Sequence, residues 1–161
     1  MNISKKARVW IYQSNRPLAP AEETGIKDIL NNFINQWEAH GSKLTALAEI
    51  RYNRFIILTV DEEQAGATGC SIDKSVNLMK HIENEFGINL FDRFNIAYRD
   101  GAEINSCGRD DFEKLILDGK ITEDTIVFNN LVQTVAEMET NWEIPFKNSW
   151  HNSVFGNLIN S

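Results

Sequence analysis

Two long stretches of the chain carry apolar residues at the spacing of an amphipathic helix. The first stripe consists of Ile26, Ile29, Leu30, Phe33, Ile34 and Trp37. Its period of three to four residues predicts one helix from Glu22 to His40, with Gly41 placed after the last turn. A second helix is predicted from Ser71 to Phe86, and Gly87 suits its end. Its stripe consists of Ile72, Val76, Met79, Ile82 and Phe86.

Shorter apolar runs around these helices predict strands. Residues 8–12 form a β-branched and aromatic run that stops at the turn-rich QSNRPLAP. Between the helices, KLTALAEI and RFIILTV flank Tyr52-Asn53, which predicts a hairpin. After the second helix, RFNIAYRDGAEINSC alternates apolar with polar residues around Asp100-Gly101. An Asp-Gly pair readily adopts the positive φ angles of a tight turn, so this segment predicts a second hairpin.

The last third of the chain predicts shorter elements. A short helix is expected from Asp110 to Asp118, the run TIVF is a candidate strand, and Thr134 with Glu137 has the spacing of a capping box. The tail NWEIPFKNSWHNSVF is aromatic and follows no regular period. We expect its aromatic residues to bury apolar area, in particular Trp142, Trp150 and Phe155.

The order of these elements indicates the fold class. Strand, helix, two strands, helix, strand is the βαββαβ order of a ferredoxin-like α+β sandwich, an antiparallel sheet with two helices on one face. Here a hairpin and a helical, aromatic C-terminal extension are added, and residues 1–161 are predicted to form one domain. Residues 55–58 are apolar on both faces of the third strand. The second face must therefore be covered, either by the aromatic tail or by a second subunit.

Charge and hydropathy narrow the classes of partner. The chain has 16 basic and 23 acidic residues, a net charge of −7 that disfavours nucleic acid as a partner. The apolar run from Val9 to Tyr12 is too short for a signal-peptide core, and no segment is long enough for membrane insertion. We therefore expect a cytoplasmic protein.

The stretch ATGCSIDKSV, residues 67–76, combines small turn residues with a cysteine and a Lys-Ser pair. A phosphate-binding P-loop needs two glycines before that pair, but Thr68 and Asp73 stand in their places. A threonine restricts the backbone, and an aspartate brings negative charge next to the phosphates. The sequence therefore does not predict an ATP-binding loop.

The same stretch leaves two interpretations of Cys70 open. At the start of a helix the dipole favours a thiolate, Gly69 would let a substrate approach the backbone, and the N–H groups of Cys70 to Asp73 could act as oxyanion donors. Alternatively, Ser71 or Asp73 only caps the helix and Cys70 packs under the turn. A catalytic cysteine needs a base, and His151 is the candidate because periodicity does not assign it a surface position.

Other polar residues are weaker candidates for a binding site. Asn15 and Arg16, after the first strand, could bind a carboxylate or phosphate, although a turn explains them with fewer assumptions. The run VFNNLV predicts a buried turn or a polar feature of a pocket, and the turn is favoured. No histidine lies four residues from another ligand, and Cys70 and Cys107 form no C-x-x-C. We expect no metal, no cofactor and two free thiols.

Four segments in this order, WIYQSNRP, GCSID, FNNLV and SWH, resemble a family of short bacterial proteins that often carry the label "ABC transporter ATPase". The resemblance extends from about Ala7 to Phe155, and it implies no activity, substrate or site residue. The residues themselves favour a non-catalytic module that binds a small ligand or a protein, including a second copy of this chain. The alternative is a small thiol-dependent enzyme that uses Cys70.

Overall fold

The structure, a computed structural model, describes residues 3–63 and 65–159. These residues form helices and antiparallel sheets, which confirms the α+β class. They divide into two compact units. Unit 1 contains the chain up to Phe91 together with Gln133–Ala136, and unit 2 contains Asp92–Val132 together with the chain from Glu137 onward. Whether residues 1–161 unfold as one domain stays a prediction.

Unit 1 is a three-stranded antiparallel sheet with two long helices. Its elements are β1 (Arg8–Gln13), α1 (Pro20–Ile34), β2 (Glu38–Ala39), β3 (Ser42–Lys43), β4 (Thr45–Arg51), β5 (Phe55–Asp61) and α2 (Gly69–Phe86). The strand order is β1-β5-β4, and β2 and β3 form a separate two-stranded sheet. β5 is thus the central strand, in agreement with the apolar residues on both of its faces.

Both faces of β5 are buried. One face belongs to an apolar cluster that contains Ile56, Leu58 and Val60 of β5, Ile26 and Leu30 of α1, and Met79 and Ile82 of α2. The side chains of Phe55 and Ile57, which alternate with these along the strand, are also buried. The predicted two-sided burial of this strand is therefore confirmed.

The first helix is shorter than predicted. α1 ends at Ile34 rather than His40, and Trp37 follows it as a buried residue whose Nε1–H donates to the Ser71 carbonyl oxygen at 2.8 Å. The strands β2 and β3 then form a small hairpin around His40 and Gly41, whose φ angles are 52° and 78°. Gly41 therefore serves a turn and not a helix end.

The second helix agrees with the prediction at its C-terminus and begins earlier. Gly87 has φ 63° and ends α2 in the left-handed conformation, as predicted. At the other end, the N-cap is Thr68 and the helix begins at Gly69, two residues before the predicted start.

Unit 2 is a four-stranded antiparallel sheet with short helices. Its elements are β6 (Ile96–Asp100), β7 (Glu103–Cys107), α3 (Arg109–Leu117), β8 (Ile126–Phe128), α4 (Val135–Asn141, which begins in unit 1), β9 (Glu143–Pro145) and α5 (Trp150–Phe155). The strand order is β7-β6-β8-β9. An apolar cluster of this unit contains Ile96, Phe112, Ile116, Val127, Phe146 and Phe155.

The ferredoxin-like topology is not confirmed. The strand predicted as the fourth of a single sheet is β6, but β6 pairs with β7 and β8 in the sheet of unit 2. Instead, the segment around Thr134 pairs with Arg8 at the outer edge of β1, where this strand begins. There the Val9 N–H donates to the Gln133 carbonyl at 2.9 Å, and the Val135 N–H donates to the Ala7 carbonyl at 3.0 Å.

The aromatic tail is ordered and contributes to unit 2. Trp142 and Phe155 are buried, as predicted, and Trp150 is half-buried. Trp142 meets Phe128 edge to face, with ring centroids 5.3 Å apart. Among the described residues, none of the helices combines the length and the apolar composition needed to cross a bilayer.

Candidate functional site

The N-terminus of α2 holds four of the predicted site residues, Gly69, Cys70, Ser71 and Asp73. The Ser71 N–H donates to Thr68 Oγ1 at 3.2 Å, and the Thr68 N–H donates to Ser71 Oγ at 2.7 Å. These two hydrogen bonds form a capping box, in which each residue satisfies a backbone donor of the other. The cap is thus Thr68 and not Ser71 or Asp73, because the helix begins two residues before the predicted start at Ser71.

The four residues differ in exposure. Ser71 is buried and is used by the capping box, whereas Gly69, Cys70 and Asp73 are exposed. The interpretation that Cys70 packs under the turn is therefore wrong. An exposed thiol at the second position of a helix is open to reagents and ligands, but exposure alone does not make it a nucleophile.

Asn15 and Arg16 lie in the loop between β1 and α1, where their side chains hold the fold together. The Arg16 guanidinium donates to both oxygens of Glu22 at 2.8 Å and to the Phe86 carbonyl at 3.0 Å. Asn15 Oδ1 accepts from the Asn89 N–H at 2.8 Å. The hydrogen bonds from Arg16, followed by one from the Ala19 N–H, lower the pKa of Glu22 to about 2.

Arg16 and Cys70 lie at opposite ends of α2. Phe86, which accepts from Arg16, is the last residue of this 18-residue helix, and Cys70 is its second residue. At 1.5 Å per residue the two ends are about 25 Å apart. Asn15 and Arg16 therefore do not share one site with Gly69, Cys70, Ser71 and Asp73.

His151 is enclosed by aromatic side chains of unit 2. Its ring stacks on Trp150 with centroids 3.8 Å apart, and the rings of Phe112 and Phe146 lie 6.2 and 6.4 Å away. Its Nδ1 lies 2.7 Å from Ser149 Oγ, which is also buried. Burial lowers the pKa of His151 to about 4, so the ring is neutral at pH 7. These contacts are those of a core residue.

The remaining cysteine and the other two histidines do not complete a catalytic group. Burial, with a smaller contribution from the charge of Asp111, raises the pKa of Cys107 to about 11, which disfavours its thiolate. His81 is exposed on α2 and lies 3.0 Å from Glu85, as expected for a surface residue. His40 occupies the β2–β3 turn and not the predicted helix end.

The polar run Asn129-Asn130 is a turn, as the sequence favours. Asn129 Oδ1 accepts from the Leu131 N–H at 3.2 Å, and Asn130 Oδ1 accepts from Trp142 Nε1 at 2.9 Å. Both amide oxygens thus satisfy groups of unit 2 itself. Elsewhere in unit 2, a shallow depression of about 640 Å³ is lined by Phe94, Gly108, Arg109, Asp110, Asp111 and Lys114. It contains none of the predicted site residues.

A free sheet edge was missed by sequence reasoning. β4 pairs with β5 on one side, and within residues 3–63 and 65–159 no strand pairs with its other side. Ala46, Ala48 and Ile50 pack against the core cluster of unit 1, while the side chains alternating with them include the exposed Leu47 and Glu49. The alternation in the sequence predicts a strand with one buried face, but it contains no signal that this strand lies at an edge.

Comparison with known proteins gives no match, whether with family models, curated proteins or solved structures. In addition, the described part of the chain contains no group of three or more His, Cys, Asp or Glu residues placed to hold a metal ion. A function must therefore be argued from the geometry described above.

Proposed function

We propose that this chain is a non-catalytic module that binds a protein partner along the outer edge of β4. The observation that carries the proposal is the seven-residue strand Thr45–Arg51, which has a strand neighbour on one side only in the described part of the chain. An unpaired edge offers backbone N–H and C=O groups to a further strand, a common way for proteins to bind extended segments.

The chemistry of the candidate catalytic residues supports binding over catalysis. His151 is a buried, neutral ring held by Ser149, and the pKa of Cys107 is raised to about 11. Arg16 is engaged by Glu22 and by the end of α2. A general base or nucleophile must reach its substrate, and these side chains are committed to the fold.

One observation favours a second candidate, the thiol-dependent enzyme. Cys70 is exposed next to Gly69, so a substrate could reach its sulfur at the N-terminus of α2. Under this alternative the activity would be lost in Cys70→Ser and retained in Cys107→Ser.

Membership in the family labelled "ABC transporter ATPase" and a cytoplasmic location remain part of the proposal, and neither assigns a reaction to this chain.

Site-specific photo-crosslinking tests the proposed function. A photoreactive phenylalanine analogue placed at Leu47 points outward beside the free edge, and the same analogue at Leu117, exposed on α3, serves as control. We expect a discrete covalent adduct at position 47 in the cells that make the protein, and none at position 117. If position 47 gives no adduct beyond the control, β4 does not bind a protein and the proposal fails.

A further inference from the structure

The backbone of β4 presents alternate residues to its free edge. Along an antiparallel strand, the N–H and C=O groups of successive residues point to opposite sides. The Ser14 N–H donates to the Arg54 carbonyl at 2.8 Å, so Arg54 faces β1 and the next residue, Phe55, faces β4. Arg51 is paired with Phe55 and therefore faces β5. The β4 residues whose backbone groups face away from β5 are then Ala46, Ala48 and Ile50.

This run of outward-facing residues is closed at both ends. Leu44, the preceding residue of the same orientation, already donates its N–H to the Trp37 carbonyl at 2.9 Å. After β4 the chain turns at Tyr52-Asn53, where both φ angles are positive. Within residues 3–63 and 65–159, no backbone hydrogen bond reaches the outward-facing residues from the side away from β5. The free edge is therefore a short segment centred on Ala48.

A twofold axis at Ala48 uses the whole of this segment. The two copies of Ala48 then pair with each other, and Ala46 of each copy pairs with Ile50 of the other. Each outward N–H and C=O group of one copy faces a backbone partner in the other. The edge is thus complementary to itself in this register.

Moving the axis by one residue in either direction loses part of this pairing. An axis at Leu47 would set Ile50 against Leu44, whose N–H is already used by Trp37. An axis at Glu49 would extend the pairing into the turn and would place the two copies of Glu49 directly opposite each other. Like charges in that position are unfavourable. The neighbouring registers are therefore weaker than the one centred on Ala48.

The apolar layer beside this edge favours a second copy over a single added strand. The side chains of Ala46, Ala48 and Ile50 are half-buried and pack against the core cluster of unit 1, and α1 packs against β4. Ile29 and Phe33 of α1 pack against the same cluster and are also half-buried. A lone strand would supply backbone partners and leave this apolar border uncovered. A second copy brings its own α1 and extends both layers.

We infer that the partner bound along β4 is a second copy of this chain, paired antiparallel through a twofold axis at Ala48. The inference rests on the proposed function and gives the partner's identity. The pairing joins the three-stranded sheets of both copies into one continuous sheet, with both α1 helices on the same face. It has the symmetry of most small oligomers, in which the same patch of both copies forms the contact.

Sedimentation equilibrium of the full chain over a concentration series tests this inference. We expect the average mass of the wild type to rise from 18.4 kDa toward that of a dimer. Ala48→Pro removes the N–H at the axis, which faces away from β5, so the hydrogen bonds between β4 and β5 are kept. The dissociation constant of the dimer should rise about tenfold or more, since both central N–H groups are lost. Thermal unfolding shows whether the variant is folded.

Substitutions of Leu47 test the register without changing the backbone. With the axis at Ala48, the exposed Leu47 lies directly opposite Glu49 of the other copy. Leu47→Lys should therefore lower the dissociation constant, and Leu47→Glu should raise it. Leu117→Lys and Leu117→Glu, at an exposed position on α3, make the same changes in net charge and should have much smaller effects.

The outcomes separate this inference from the proposed function. A wild type that is monomeric at every concentration overturns the inference, and so does a dimer on which the Leu47 variants act no differently from the Leu117 variants. A dimer that a folded Ala48→Pro variant leaves unchanged overturns it as well. If the protein is monomeric but position 47 crosslinks to a different protein, the proposed function stands and the second copy is ruled out as its partner. If position 47 gives no adduct and no dimer forms, both fail.

Discussion

At the scale of single residues, His151 makes the stability of unit 2 depend on pH. In the unfolded chain a histidine has a pKa near 6.5, and burial lowers the pKa of His151 to about 4. The unfolded chain therefore binds a proton more readily than the folded protein. Stability from this group is complete above pH 6.5 and is lost as the pH falls toward 4, by roughly 3 kcal/mol in total.

The His151→Phe variant tests this dependence because phenylalanine preserves an aromatic ring among Phe112, Phe146 and Trp150 without a titrating group. The measurement is the free energy of unfolding by urea at several pH values from 7 to 4. As the pH falls from 7 to 4, we expect the free energy of unfolding to decrease less in His151→Phe than in the wild type. This difference should appear whatever the stability of the variant at pH 7. The same substitution at the exposed His81 is the control for replacing a histidine outside the core by phenylalanine. Equal slopes in wild type and His151→Phe would contradict a buried neutral ring.

The two cysteines should differ in reactivity. Cys70 is exposed, whereas Cys107 is half-buried with a pKa raised to about 11. Because only the thiolate alkylates, iodoacetamide at pH 7 should modify the folded protein at Cys70 and reach Cys107 only after denaturation. Peptide mass spectrometry locates the label. Cys107→Ser should be labelled like the wild type, and Cys70→Ser should remain unlabelled. If Cys107 is modified faster than Cys70 in the folded protein, the predicted difference in reactivity is wrong.

At the scale of elements, the start of α2 depends on the capping box of Thr68 and Ser71. Thr68→Ala removes the oxygen that accepts from the Ser71 N–H and should lower the free energy of unfolding by about 1 kcal/mol. Thr68→Ser keeps an acceptor and should have a smaller effect. Asp73→Ala is the comparison, because the sequence also allowed Asp73 to be the cap. Asp73 is exposed and lies five residues after the cap Thr68, so a loss as large as that of Thr68→Ala would contradict the capping box.

The same helix start should not bind ATP specifically. Thr68 is used as a cap, and Asp73 places a carboxylate where a phosphate loop has glycine. Isothermal titration with Mg-ATP should give no binding heat beyond dilution in the wild type and in Lys74→Ala. Micromolar affinity that disappears in Lys74→Ala would overturn this expectation and support the family label as a description of activity.

At the scale of the whole molecule, the path of the chain favours cooperative unfolding. Gln133–Ala136 belongs to unit 1 but interrupts the sequence of unit 2, and α4 begins in unit 1 and ends in unit 2. Gln133 and Val135 are also hydrogen-bonded to Val9 and Ala7, at the start of β1. Because the chain leaves unit 2 for unit 1 and returns through α4, we expect the one-domain prediction to hold.

The tryptophans report on this directly because each unit contains two, Trp10 and Trp37 in unit 1 and Trp142 and Trp150 in unit 2. In protein labelled with fluorotryptophan, fluorine NMR follows all of them in a single urea titration, and Trp→Phe variants assign the signals. Coincident loss of the native signals is expected from one cooperative domain. Two separate transitions, one for each pair, would mean that the units unfold independently.

The sequence by itself determined the features that depend on near neighbours. The strand at residues 8–12, the apolar β5, α2 with Gly87 at its end, and the turn at Asn129-Asn130 are all present. Apolar periodicity and turn chemistry act over a few residues, so they can be recognised without the rest of the fold. The burial of Trp142 and Phe155 followed in the same way from the size of their side chains.

Tertiary structure decided what depends on distant residues. Trp37 fits the stripe of the first helix, but its hydrogen bond to the Ser71 carbonyl holds it outside α1. The pairing of β6 with β8 and the free edge of β4 depend on strand order, which the periodicity of a single strand cannot specify. The candidate site changed for the same reason, because α2 holds Arg16 and Cys70 at its opposite ends while His151 is closed in by aromatic rings.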